Sequence, residues 1–306
     1  MNPAAVRMSI CCVLLGRLLS ASDAPAPAAI VLSVQGIVKA SMDEGPDRPV
    51  SLFDLLPDGT RVTTAAGASV RLALFNGERV ELSGESAVTI AAGAFRSPSG
   101  AARSLPRLEV MPRIARIVRG EKPGMRQGTI RVRAPKSGTD GPQVLYPAWG
   151  AAVQSDEAIL RFRPKQGIKK YRIDIEDASG RPVRGFATSS TLVDPPHGTL
   201  LPGREYYWSV RSDQNEDPLA EGVFRTLNPE ESDLWLSVAR RQRKSDDPDL
   251  RMIRIHVGQK LGLIREACAS ISELLEAPSP PRGIQALWES QECAALLAIG
   301  RESPLR

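Results

Sequence analysis

The chain has 306 residues, of which 42% are apolar and 25% charged, and a formal net charge of +5. That length allows two or three domains with real cores, and the ordinary composition excludes a collagen-like, low-complexity or wholly disordered chain. The positive surplus is too small to argue for nucleic acid, the more so because losing Arg7 and Arg17 with a leader would lower it to +3.

Residues 1–29 read as a signal peptide and linker. Arg7 precedes the apolar run MSICCVLLG and the small residues of LLSASDAPAPAA, with Ser20-Ala21-Ser22 as the expected cleavage site. Arg17 interrupts the apolar region, and a membrane span needs about 18 unbroken apolar residues, so no transmembrane span is expected in the mature chain. Met8-Ser9-Ile10 lacks the small residue and Leu of a lipoprotein cleavage box before Cys11, which argues against a lipid anchor.

Residues 30–95 show short alternating runs punctuated by Gly, Pro and Asp, the pattern of a small all-β unit. In LALFNGERVELSGESAVTI the residues Leu72, Leu74, Val80, Leu82, Val88 and Ile90 fall on alternate positions, and Asn76-Gly77 predicts a type I′ turn between two strands. Val34-Gln35-Gly36, then Leu56-Pro57-Asp58-Gly59 with Thr63-Thr64, then the hairpin from Leu72 to Ile90 together resemble the FecR domain of bacterial envelope proteins. The resemblance implies a FecR-like β domain. Named FecR proteins relay the state of an outer-membrane transporter to a cytoplasmic sigma factor, and they carry a cytoplasmic domain and a membrane span before the β domain. Here only the leader precedes it.

Residues 96–142 read as a basic, Pro/Gly-rich connector. Over 103–133, Arg103, Arg107, Arg113, Arg116, Arg119, Lys122, Arg126, Arg131 and Arg133 face only Glu109 and Glu121. Either Arg107, Arg113, Arg116, Arg119, Lys122 and Arg126 form a basic surface for phosphate, anionic glycan or lipid headgroups, or the segment is a solvated linker along its neighbours. A surface of the first kind predicts envelope attachment that weakens with salt. No aromatic residue interleaves the arginines, so stacking on bases is not offered.

In residues 143–227, short strands at regular spacing indicate a β-sandwich, with Tyr171, Ile173 and Ile175 on one inner face and Trp208 plugging the core. The segment LLPGREYYWSVRS resembles a strand of fibronectin type III-like and related immunoglobulin-like modules, and it implies that fold here.

Residues 228–306 switch to a helical period. Asn228-Pro229-Glu230-Glu231 and Asp247-Pro248-Asp249 each supply a cap, a first-turn proline and acidic residues. A third helix is expected over Arg265–Ala277, and a fourth begins with Ile284, Leu287 and Trp288. The helix starts Pro248 and Arg282 lie 34 residues apart, and Gly262, Ala267 and the prolines at 278–281 resemble a tetratricopeptide repeat. A plain helical bundle fits the same pattern. Too few repeats are present to stand alone, so the helices should pack on the sandwich or on a partner.

Residues for chemistry are sparse. His197 and His256 belong to no metal-ligand spacing, and His256 reads as a packed helix residue. Asp174 and Glu176 project to the same side of a strand, where they could act as a pair or hold calcium, or merely line the solvated face of an edge strand. No nucleophile elbow or phosphate loop appears. No enzymatic activity, cofactor or metal is therefore expected. Once Cys11 and Cys12 leave with the leader, Cys268 and Cys293 remain, on apolar stripes placed evenly about the prolines at 278–281. They form a disulfide, or two buried free thiols. The expectation is a multidomain chain: an all-β FecR-like domain, an all-β immunoglobulin/fibronectin-like sandwich and a small α-helical, tetratricopeptide-like region. Its function is that of a non-catalytic periplasmic or otherwise extracytoplasmic protein holding an envelope protein or polysaccharide. The alternative is a FecR-type relay linked to a transporter and sigma factor.

Overall fold

The alternation between Ile30 and Ile90 becomes one strongly bent sheet. The computed structural model describes residues 25–42, 45–119, 144–147, 150–212, 215–278, 280–291 and 293–298; the expected leader and its cleavage site lie outside them. The first unit contains β1 (Pro27–Gln35), β2 (Val38–Met42), β3 (Arg48–Pro49), β4 (Leu55–Pro57), β5 (Thr60–Thr64), β6 (Ser69–Leu74), β7 (Arg79–Ala91) and β8 (Ala94–Leu105). Among the described residues the order is β3-β2-β5-β7-β6-β1-β4, with β8 on the other side of β7. The long β7 pairs first with β6 and then with β5. Gly84, at φ +63°, sits between the two stretches, where the sheet curls.

Leu72, Leu74, Val80, Leu82, Val88 and Ile90 share one buried core. The opposite face is buried too: Ile30, Leu32, Ala73 and Phe75 belong to a second core, shared with the helices. Strands covered on both sides read as nearly continuous apolar runs, as β1 does. The expected type I′ turn is corrected, because Gly77 has φ +100° while Asn76 does not enter the left-handed region. Asn76 instead works through its side chain. Its Oδ1 accepts from Glu78 N at 2.9 Å, and its Nδ2 donates to the Gly93 carbonyl at 2.8 Å.

The expected connector over 96–142 is also corrected. Its start is strand β8, disguised by Pro98 and Gly100, which a strand paired on one side tolerates. It continues as α1 (Met111–Val118), which buries Met111, Ile114 and Ala115 at helical spacing. Residues 120–143 lie outside the described residues.

The second unit contains β9 (Val144–Tyr146), β10 (Ala151–Val153), β11 (Leu160–Phe162), β12 (Tyr171–Asp177), β13 (Pro182–Thr188), β14 (Leu192–Val193), β15 (Glu205–Ser212) and β16 (Asn215–Thr226). Among the described residues, β14-β11-β9 form one sheet and β10-β16-β15-β12-β13 the other. Trp208 is fully buried among Phe162, Tyr171, Ile173, Ile175 and Phe224. The Tyr206 hydroxyl accepts from Leu201 N at 2.7 Å, tying the loop before β15 to the core. β12 is not an edge strand as expected, since β13 lies beyond it.

The helices are α2 (Pro229–Arg243), α3 (Pro248–Leu261), α4 (Ile264–Leu275), α5 (Ile284–Ser290) and α6 (Cys293–Ala298). Asn228 forms a full capping box with Glu231, and Asp247 caps α3. Gly262 ends α3 at φ +82°. The expected fourth helix is two short pieces of 7 and 6 residues, against 14 and 12 in α3 and α4, so the 34-residue spacing does not repeat like helices.

The helices pack on more than the sandwich. Trp235, Ile253 and Val257 lie in one core with Ile30, Leu32 and Phe75 of the bent sheet and with Met111 and Ile114 of α1. The sandwich joins the same helices. Ala152 N donates to the Gly262 carbonyl at 2.9 Å, and Arg225 donates to Glu231 at 2.6 Å and to the Leu261 carbonyl at 2.7 Å. The C-terminal helices thus weld the two β units together.

Candidate functional site

The arginines of the expected basic surface largely meet partners within the chain, in pairs that stay exposed or half-exposed. Arg113 pairs with Asp233 and Arg116 with Glu230, each at 2.8 Å, both partners lying on α2. Arg119 lies over the Phe75 ring, 5.9 Å from its centroid. Arg107 donates to the Asn76 carbonyl at 3.0 Å and lines a cleft of about 300 Å³ with Glu78, Val80, Phe95 and Leu105. Lys122 and Arg126 lie outside the described residues. The run was basic in sequence because its acids come from another element: α2 presents Glu230 and Asp233 to α1.

The most concentrated charge is buried where the bent sheet meets α3. Arg71 and Arg79 project from the outer face of β6 and β7: Arg79 lies directly opposite Ala73, and Arg71 two residues before Ala73 on β6. Asp249 is wholly buried and receives Arg79 at 2.6 Å and Arg71 at 2.8 Å. Arg79 also reaches Asp247 at 2.8 Å and donates to the Pro106 carbonyl at 2.6 Å. Burial is the largest influence on the Asp249 carboxyl and raises its pKa, against the pull of the two guanidiniums in direct contact with it. The junction's groups all answer one another, so it is a structural clamp.

Cys268 of α4 and Cys293 of α6 are joined by a disulfide with a Cα–Cα distance of 5.2 Å, and both are fully buried. Asp174 sits between Arg172 at 2.9 Å and Arg211 at 3.5 Å, which neutralises it on the outer face of the sandwich. His197 is exposed, 3.6 Å from Asp156. Among the described residues no group of three or more His, Cys, Asp and Glu is placed to hold a metal ion, and no helix is long and apolar enough to cross a membrane.

His256 lies buried on α3, its ring 5.0 Å from Phe53. Burial, reinforced by Lys260, lowers its pKa from 6.5 to about 3. The folded state therefore binds fewer protons than the unfolded chain, so this stability is fully present above pH 6.5 and is lost as pH falls towards 3. By pH 5 the loss attributable to His256 reaches about 2 kcal/mol. Unfolding of His256→Leu at stepped pH tests this: the variant should lose less stability than the parent between pH 7 and 5. Parallel pH profiles would refute it.

A second cationic cluster was not singled out from the sequence. Arg163, Lys165, Lys169 and Lys170 stand on the loop between β11 and β12 and are all exposed. The signal in the sequence is an acid-free run of four cations within eight residues, shorter than the basic run at 103–133.

No family model and no curated protein matches the chain. Among solved structures it is similar to a "cell surface anchoring domain" at 23% identity, over 24% of this chain and 97% of that one, with a TM-score of 0.22. It is also similar to the FN1-FN3 domains of chicken CNTN1 at 8% identity, over 67% of this chain and 64% of that one, with a TM-score of 0.20. The chain thus spans less than two thirds of the second structure, and neither similarity decides fold or function.

Proposed function

We propose that the chain is an exported, non-catalytic envelope protein that binds or scaffolds a glycan or protein partner. The observation that carries this reading is the shared helical core, which fixes a bent sheet and a sandwich relative to one another while the sandwich loops stay in solvent. Rigid spacing of exposed loops suits the presentation of surfaces to a partner. The Cys268–Cys293 disulfide supports a compartment outside the cytoplasm, where such bonds persist. For the first unit, the segments Val34-Gln35-Gly36 and Leu56-Pro57-Asp58-Gly59 favour a FecR-like domain. For the second, the two-sheet strand order and the Tyr206 anchor favour a fibronectin type III-like module.

Cell fractionation with N-terminal sequencing tests the reading. The expected result is extracytoplasmic protein whose chain starts close after Ser22. Recovery of the intact N-terminus in the cytoplasm would overturn it.

A further inference from the structure

The loop between β11 and β12 carries Arg163, Lys165, Lys169 and Lys170 with no acid among them. Elsewhere the arginines at element junctions are answered by carboxylates, as Arg79 is by Asp249, Arg113 by Asp233 and Arg225 by Glu231. Among the described residues these four loop cations make no ion pair. Like charges on one short loop repel one another, and an arriving anion relieves that repulsion.

The loop is also built to hold them. The buried Tyr171 ring packs edge-on to Phe162 with centroids 4.8 Å apart. Its hydroxyl accepts from Lys165 N at 3.2 Å and donates to the Ile168 carbonyl at 3.1 Å. Ile168 N in turn donates to the Lys165 carbonyl at 3.2 Å, and the Ile168 side chain packs against the sandwich core. One buried hydroxyl therefore fixes the backbone that carries the cations. Preorganisation of this kind lowers the ordering cost of binding.

We infer that the Arg163–Lys170 loop docks an acidic polysaccharide. The loop carries no aromatic residue for stacking on bases, which disfavours nucleic acid. Its one large apolar residue, Ile168, is turned into the core, so nothing on the loop inserts into a bilayer. A flexible chain of repeating carboxylates or sulfates can lay successive charges on successive cations. This names the ligand class for the glycan-binding form of the proposed function, but it does not depend on export.

The test uses the full chain and titrates it with polygalacturonate, with dextran sulfate, with neutral dextran and with vesicles of phosphatidylglycerol in phosphatidylcholine. The expected result is binding to both acidic polymers and not to neutral dextran, weakening as salt is raised. K165E/K169E/K170E should weaken it about tenfold or more while thermal unfolding is unchanged, since the three side chains are exposed. Tyr171→Phe keeps every charge and should weaken binding severalfold, which a net-charge effect alone would not do. Equal binding by the triple variant, unchanged binding by Tyr171→Phe, or binding to the anionic vesicles alone overturns the inference. A wild-type chain that ignores both polymers also overturns it, and leaves the fractionation test of export standing.

Discussion

Asp249→Asn will destabilise the fold by about 3 kcal/mol, because it removes the one carboxylate shared by two guanidiniums and leaves the buried Arg79 with only the partly exposed Asp247 as acidic partner. The substitution keeps size and shape, so packing around α3 is preserved and the effect reports charge. Arg79 is only 4% exposed and would retain Asp247 and the Pro106 carbonyl. Arg71 would lose its ion-pair partner at the junction. The cost is largest with Asp249 ionised, the state that its contacts with two guanidiniums at 2.6 and 2.8 Å favour against the upward push of burial. Were burial to win and the carboxyl to be protonated, Asn would be nearly isosteric and isoelectronic with it, and the cost would fall below about 1 kcal/mol. Denaturant unfolding separates the two outcomes: a lower midpoint with an unchanged slope is expected, and an unchanged midpoint refutes the clamp.

The same junction shows which parts of this fold a sequence can carry. The caps at Asn228 and Asp247 are local, since each satisfies backbone groups within three residues, and they were legible as soon as Pro229 and Pro248 were seen beside them. The alternation from Leu72 to Ile90 was legible for the same reason, although it could not say that the other face of β6 would be covered. Arg79 and Asp249 are 170 residues apart, and Arg113 and Asp233 are 120 apart. At such separations a run of arginines reads as an open surface, and Glu230 reads as an acid that favours a helix N-terminus. It does both jobs, but only the packed structure brings Arg116 to it. Strand β8 failed for a different reason: Pro98 and Gly100 are turn residues by propensity, and pairing with β7 overrides them. The loop at 163–170 does not stand out in the sequence, because its cations are fewer than those at 103–133 and what distinguishes it is the Tyr171 hydroxyl beneath the backbone.

Reduction of the Cys268–Cys293 bond will lower stability by about 3.5 kcal/mol, the chain-entropy value for a loop of its 25-residue separation. The bond fastens α6, of only 6 residues, to α4 across the prolines that separate them. Helices so short have little stability of their own, so α5 and α6 depend on Ile284, on their contacts with α4 and on this link. A non-reducing digest should yield one peptide pair joining residues 268 and 293, and thiol labelling in denaturant should modify neither cysteine until reductant is added. Thermal unfolding with and without reductant then measures the effect. Cys268→Ala with Cys293→Ala provides a second route, expected to cost somewhat more because it also empties two fully buried side-chain positions. The loss should be specific to the helical end: α5 and α6 should lose amide protection first, while the Trp208 core of the sandwich keeps its own. Labelling of both thiols before reduction, or an unfolding temperature indifferent to reductant, would refute the clamp and remove the compartment argument that rests on it.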